Sequence, residues 1–108
     1  MIKLSGKIIE MFPMKMFGTR EKPFKKVIFW LQEISDMYPN SWQLEFWQDD
    51  CTMASSYNVG DFVTCYVDIK GKMFEKRDIK DGSGQGIITT LKCWNVEKEG
   101  KTHKEIKV

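Results

Sequence analysis

Val27-Ile28-Phe29-Trp30-Leu31-Gln32, followed after a turn by Trp42-Gln43-Leu44-Glu45-Phe46-Trp47, is the stretch from which the rest of the chain can be read. β-Branched and aromatic side chains dominate it, and both halves repeat with a period of two, the signature of half-buried strands. Val27, Phe29 and Leu31 fall on one face, with Lys26, Ile28, Trp30 and Gln32 on the other. In the second half Trp42, Leu44, Phe46 and Gln48 oppose Gln43, Glu45 and Trp47. Tyr38-Pro39-Asn40 between them is a turn signal, so the two halves are expected to pair as an antiparallel hairpin. A reversal at Tyr38-Pro39 sets positions summing to 75 opposite each other, with Trp47 facing Ile28 and Trp30 facing Glu45. If Phe29, Leu31, Leu44 and Phe46 fill a core, Trp30 and Trp47 emerge on the outer side as diagonal neighbours.

Working outward, residues 2–12 read as a strand interrupted at Gly6, where a bulge or a close backbone approach would fit, and ended by Pro13. Residues 13–24 read as a long basic loop, and Lys25 to Ile34 as the second strand. Asp49 to Tyr57 lacks strand patterning; Asp49 or Asp50 is expected to cap a short helix running to about Ser55. Val59-Gly60-Asp61 turns into a strand from Phe62 to Lys70, in which Val63, Cys65, Val67 and Ile69 oppose Phe62, Thr64, Tyr66 and Asp68. Glu75 to Gly86, carrying Gly82, Gly84 and Gly86, is a hydrophilic connection, and Ile87 to Glu97 is the last strand. Five strands, a short helix between the third and fourth, and long connections after the first and fourth follow the order of an OB-fold barrel. An SH3-like barrel of similar length would not place a helix-length polar segment there. The expected organisation is an all-β OB-fold domain over residues 1–97 and a charged tail over residues 98–108.

At 108 residues the chain is one domain, and 42% apolar with 30% charged residues is a globular balance. No apolar run approaches the roughly 18 residues of a membrane helix, and the N-terminus has no signal-peptide core. Cys51, Cys65 and Cys93 are an odd set without a C-x-x-C pair, which argues for reduced thiols in a cytosol and against a disulfide scaffold or zinc site. His103 is the single histidine, so no Ser-His-Asp or Cys-His arrangement can be built. The expectation is a cytoplasmic, non-enzymatic protein with no cofactor, no metal and no membrane partner. Asp49-Asp50 reads as a cap rather than a metal site, and Gly82-Ser83-Gly84-Gln85-Gly86 as a flexible tip without the ending of a phosphate-binding loop. Trp42 and Trp94 are expected in the core, as are Cys65 and Cys93.

Charge is segregated along the chain. Residues 1–30 carry a net +5, residues 31–60 a net −5 with no Lys or Arg, and residues 61–108 a net +2. Such a chain can present a positive surface while staying nearly neutral overall, the plainer alternative being solvated faces that happen to differ.

Leu4-Ser5-Gly6-Lys7-Ile8-Ile9-Glu10, Phe24-Lys25-Lys26, Gln48-Asp49-Asp50-Cys51, Val59-Gly60-Asp61, Lys70-Gly71-Lys72 and Leu91-Lys92-Cys93-Trp94, in that order, resemble a family of small single-domain OB-fold proteins of bacteria and their phages. The resemblance covers roughly residues 4–97, and members of the family include single-stranded DNA-binding proteins. Two departures stand out: Trp30 and Trp47 replace expected aliphatic residues, and the chain ends Lys104-Glu105-Ile106-Lys107-Val108 instead of in an acidic, Phe-terminated recruiting tail.

The function this implies is sequence-nonspecific binding of single-stranded DNA in replication, recombination or repair, in the cytosol of a bacterium or of a phage's host. Self-association or cooperative filling of a strand would raise the affinity of so small a protein, and replication or recombination proteins are further expected partners. Such binding needs cations along the phosphates and flat rings for the bases. The candidate residues are Trp30 and Trp47 on the hairpin, with Lys25 and Lys26 where it begins. Lys15, Phe17, Arg20, Lys22 and Phe24 come from the first long loop, in the alternation of basic and aromatic residues expected of a clamp. Lys72, Phe74, Lys76 and Arg77 come from the second, and Tyr66 is a further stacking candidate. The alternative is a protein-interaction OB domain in which the tryptophans form a dimer or partner surface. An RNA-binding cold-shock barrel is disfavoured, because its closely packed Gly-Phe-Gly-Phe signature is missing.

Overall fold

Strand β1 (Ile2–Met11) has two neighbours, and the way it divides itself between them closes the barrel. Its first half pairs antiparallel with β5 (Phe62–Glu75), from Ile2 opposite Val67 to Lys7 opposite Phe62. Its second half pairs with β3 (Pro23–Gln32), from Lys7 opposite Gln32 to Met11 opposite Phe29. Gly6 is buried at the changeover, where a Cβ would stand 2.2 Å from the Gln32 carbonyl oxygen. Of the two roles expected for this glycine, the close backbone approach is the one it plays. The structure, a computed structural model, describes residues 2–35, 37–75 and 84–99.

The hairpin of β3 and β4 (Ser41–Trp47) is present with a register two residues away from the expected one. Lys26 pairs with Trp47, Ile28 with Glu45 and Trp30 with Gln43. The cause lies in the turn. Glu33 N–H donates to the Asn40 carbonyl at 2.9 Å, and the Asn40 backbone and side-chain N–H groups both reach the Glu33 carboxylate. These bonds centre the reversal ahead of Tyr38-Pro39. A shift of two keeps every side chain on its expected face, because the strand period is also two. The tryptophans therefore share the outer face but are not diagonal neighbours.

Parallel pairing of β4 with β6 (Gln85–Lys98), Leu44 opposite Leu91 and Glu45 opposite Lys92, completes a ring in the order β1-β3-β4-β6-β5. This closed five-stranded ring is the OB-fold topology. A sixth strand, β2 (Lys15–Gly18), lies in the segment expected to be all loop. It pairs with the start of β3, Phe17 opposite Phe24, and Gly18 at φ +85° begins the turn back. β5 and β6 also run further than expected. Beyond Ile69 and Leu91 they continue as a two-stranded ribbon to Glu75 opposite Gln85.

Between β4 and β5 a 3-10 helix (Gln48–Ser56) packs Cys51, Met53 and Ala54 against the barrel. Its cap position is Trp47, with no side-chain cap, so Asp49 and Asp50 lie in the first turn rather than capping it. The reason is that Gln48, at φ +54°, turns the chain directly out of β4. Inside the ring stand Ile8, Val27, Phe29, Leu31, Leu44, Phe46, Val63, Cys65, Val67, Cys93 and Val96, with Phe29 stacked on Phe46 at 4.7 Å. Trp42 is half-buried against this core, but Trp94, expected there too, is 38% exposed. A bulge causes this: Tyr66 pairs with Asn95 and Val67 with Cys93, which leaves Trp94 as the extra residue. Cys93 and Val96 take the inward positions, and the indole turns outward.

All three cysteines are free and buried. Hydrogen bonding with Cys93, and then burial, push the Cys65 thiol far above its ordinary range. Burial also raises Cys51, whose thiol donates to the Phe46 carbonyl. β6 ends at Lys98, and Glu99 N–H still donates to the Phe62 carbonyl at 2.8 Å; residues 100–108 of the expected tail lie outside the described residues.

Candidate nucleic-acid interface

Alternation along β3 and β4 sends every second side chain away from the core, and these outward residues make the floor of a groove. At one end Lys26 and Trp47 stand opposite each other, with Glu45 beside them. Glu45 is 8% exposed and fully engaged, accepting from the Trp47 indole Nε1 at 2.7 Å and lying 3.5 Å from the Lys26 Nζ. The carboxylate thus holds the indole and the ammonium in one place. Phe24 packs edge-on against Trp47 at 5.4 Å, and the Lys26 Nζ lies 5.3 Å from the centre of the Phe17 ring. From β6, Lys92 Nζ lies 5.7 Å from the centre of the Trp47 ring.

The β5–β6 ribbon forms the opposite wall. Lys70, Lys72 and Phe74 alternate onto one of its faces with Thr90 and Ile88. Phe24, Lys26, Glu45 and Trp47 on one side and Lys70, Lys72, Ile88 and Thr90 on the other enclose a groove of about 530 Å³. Lys26 also lines a second, smaller hollow with Phe12, Pro13, Lys15, Ile28 and Gln43. Gln43 then leads to a third beside Ile9, Trp30, Ser41 and Trp42. These shared residues link the three concavities into one track from the ribbon to Trp30. Trp30 is 40% exposed, its ring edge-on to Phe12 at 5.1 Å, and its Nε1 donates to Gln43 at 3.0 Å. Lys26 to Trp30 spans about 13 Å at the usual strand rise.

Of the residues singled out in the sequence, the fold gathers Lys15, Phe17, Phe24, Lys26, Trp30, Trp47 and Lys72 around this track, with Phe74 further out on the ribbon. Lys25 alternates to the other face of β3, where its backbone N–H donates to the Gln48 side chain. Arg20 and Lys22 sit in the turn after β2, Arg20 beside Met16, Phe17 and Pro23. Tyr66 is on another part of the barrel, tilted against Trp94 at 5.5 Å, with the Lys3 Nζ 5.3 Å from its ring centre and its hydroxyl donating to Glu97. That hydrogen bond raises the phenol and keeps it neutral. Lys76 and Arg77 lie outside the described residues. Lys70, Lys92, Glu45 and Ile88 belong to the site without having been singled out. Lys70 could have been found by its parity with Lys72, but Lys92 comes in through the parallel β4–β6 contact, which leaves no local signal.

A chain of this topology, a closed five-stranded ring with a short helix between its third and fourth barrel strands, falls in the class of OB-folds. The crystal structure of the mitochondrial single-stranded DNA-binding protein Rim1 of S. cerevisiae is similar with a TM-score of 0.59 and 16% sequence identity, over 90% of this chain and 91% of that one. A selenomethionine-labelled crystal of the same protein gives a TM-score of 0.56 and 14% identity over the same shares. Residues 3–97 match the family described as Domain of unknown function (DUF3127), and the chain belongs to that family. No curated protein sequence matches it.

Proposed function

We propose that this protein binds single-stranded DNA without sequence preference, serving replication, recombination or repair. The observation that carries the reading is the Lys26–Trp47–Lys92 arrangement, a ring flanked by two ammonium groups at the mouth of a groove whose far wall adds Lys70 and Lys72. Bases stack on the rings at about 1–3 kcal/mol each, whatever the base, and phosphates follow the lysines. Support also comes from the fold, which this chain has in common with a protein named for binding single-stranded DNA. The test is a titration with poly(dT) followed by tryptophan fluorescence. Quenching at low salt that weakens steeply as salt rises is expected, since each neutralised phosphate of a single strand adds about −0.7 to the slope of log affinity against log salt. Fluorescence indifferent to poly(dT) at low salt overturns the reading. A parallel titration with oligo(rU) sets DNA against RNA.

A further inference from the structure

Trp94 and Tyr66 are an aromatic pair that the groove does not use. Both point away from the core, on β6 and β5, and Trp94 is 38% exposed although the bulge that expels it lies within a well-paired ladder. A cation already stands on one ring of this pair, with the Lys3 Nζ over Tyr66. The pair is also joined to the groove. Lys92, whose ammonium reaches the Trp47 ring, and Trp94 are on the same strand two residues apart and on the same outer face, about 7 Å along the strand. Around the barrel the outward residues therefore run Trp47, Lys92, Trp94, Tyr66, Lys3, so that the ring pair of Trp94 and Tyr66 stands between two ammonium groups on one continuous surface.

We infer that Trp94 and Tyr66 form a second stacking platform, on which a single strand leaving the groove past Trp47 continues around the barrel towards Lys3. The inference rests on the reading of the groove as a single-strand site and extends it: the footprint exceeds the groove. Asp68 opposite Lys92, and Glu97 bonded to the Tyr66 hydroxyl, make this face less positive than the groove. Its contribution is stacking of bases more than attraction of phosphates.

The experiment compares oligothymidylates of about 8 nucleotides, within the usual site size of a single OB-fold, and about 30, well beyond it, against the wild type, Trp94→Ala and Lys3→Glu. Affinities come from fluorescence anisotropy, nucleotides bound per chain from poly(dT) titration, and the mass of the free protein from light scattering. Trp94→Ala is expected to weaken the long oligonucleotide by about 5- to 160-fold, the range of one lost stacked base, and the short one far less. Its salt dependence should stay that of the wild type, while Lys3→Glu lowers it by roughly one phosphate. Both should reduce the nucleotides bound per chain. The inference is overturned if both variants match the wild type on the long strand. It is equally overturned if Trp94→Ala changes the mass of the free protein without changing its footprint, since a second copy would then be covering this face. A wild type that binds neither oligonucleotide overturns the groove reading itself; one that binds the short strand normally while the variants lose nothing on the long one overturns this inference alone.

Discussion

Trp30 and Leu31 are neighbours in the chain, and the two faces of β3 and β4 they represent are held together by different physics. The inward face, Val27, Phe29, Leu31, Leu44 and Phe46, is between 0% and 4% exposed, and it is stable because apolar area has left water. The outward face, Lys26, Ile28, Trp30, Gln43, Glu45 and Trp47, is held by directed contacts: an indole on a carboxylate, an ammonium beside it, an indole on an amide. The first face tolerates no change of volume. The second keeps polar and aromatic groups in fixed positions while leaving them open to a ligand. One pair of strands thus supplies both the core and the candidate site.

The sharpest break between the faces is expected from truncation. Phe46→Ala, removing a ring stacked on Phe29, should lower the unfolding free energy by about 3–5 kcal/mol in a denaturant melt. Trp30→Ala, on the open face, should cost under 1 kcal/mol; equal losses for the two would break the comparison. Next comes the seam that lets β3 serve the ring at all. Gly6→Val forces a side chain against the Gln32 carbonyl and should destabilise by about 2–3 kcal/mol, with the poly(dT) affinity of the folded fraction unchanged.

Trp47→Ala sharpens the contrast from the other side, with a loss of about 1–3 kcal/mol in poly(dT) affinity exceeding the loss of stability. On the inward side, Cys65 keeps its proton in the folded barrel to a pH well above the ordinary thiol value of 9.0. The unfolded thiol ionises first, so this contribution to stability is complete below about pH 9 and falls as pH rises beyond it, by about 1.4 kcal/mol per pH unit. Denaturant melts between pH 8 and pH 10.5 read the slope, and a stability that rises with pH in that range contradicts the assignment. The smallest effect belongs to Glu45→Gln, which preserves an acceptor for the Trp47 indole while removing a charge from the groove floor. Stability should change by under about 1 kcal/mol, and poly(dT) affinity should rise by a few-fold as Lys26 is released to the phosphates.

Faces were readable where registers were not. Period two told that Phe29 and Leu44 point in and that Trp30 and Trp47 point out, and a two-residue error in the turn left that intact. It did not tell that Lys26, rather than Ile28, stands across from Trp47, because the Glu33–Asn40 bonds that centre the turn involve side chains with several possible partners. β2 has no signal in the sequence, since Lys15, Met16 and Phe17 carry no alternation of their own; they form a strand only because β3 offers them an open edge. The expulsion of Trp94 follows from a bulge, which parity counting skips over.

Composition and alternation alone determined a small all-β barrel, its core residues and the outward placement of Trp30 and Trp47, because burial acts on each side chain through a local period. What only the tertiary structure decided is which groups meet: Lys92 on Trp47 through a parallel contact, Lys70 and Lys72 across the groove on a ribbon, and Tyr66 with Trp94 elsewhere. Those meetings depend on ring closure between strands far apart in the chain, and no local period encodes that.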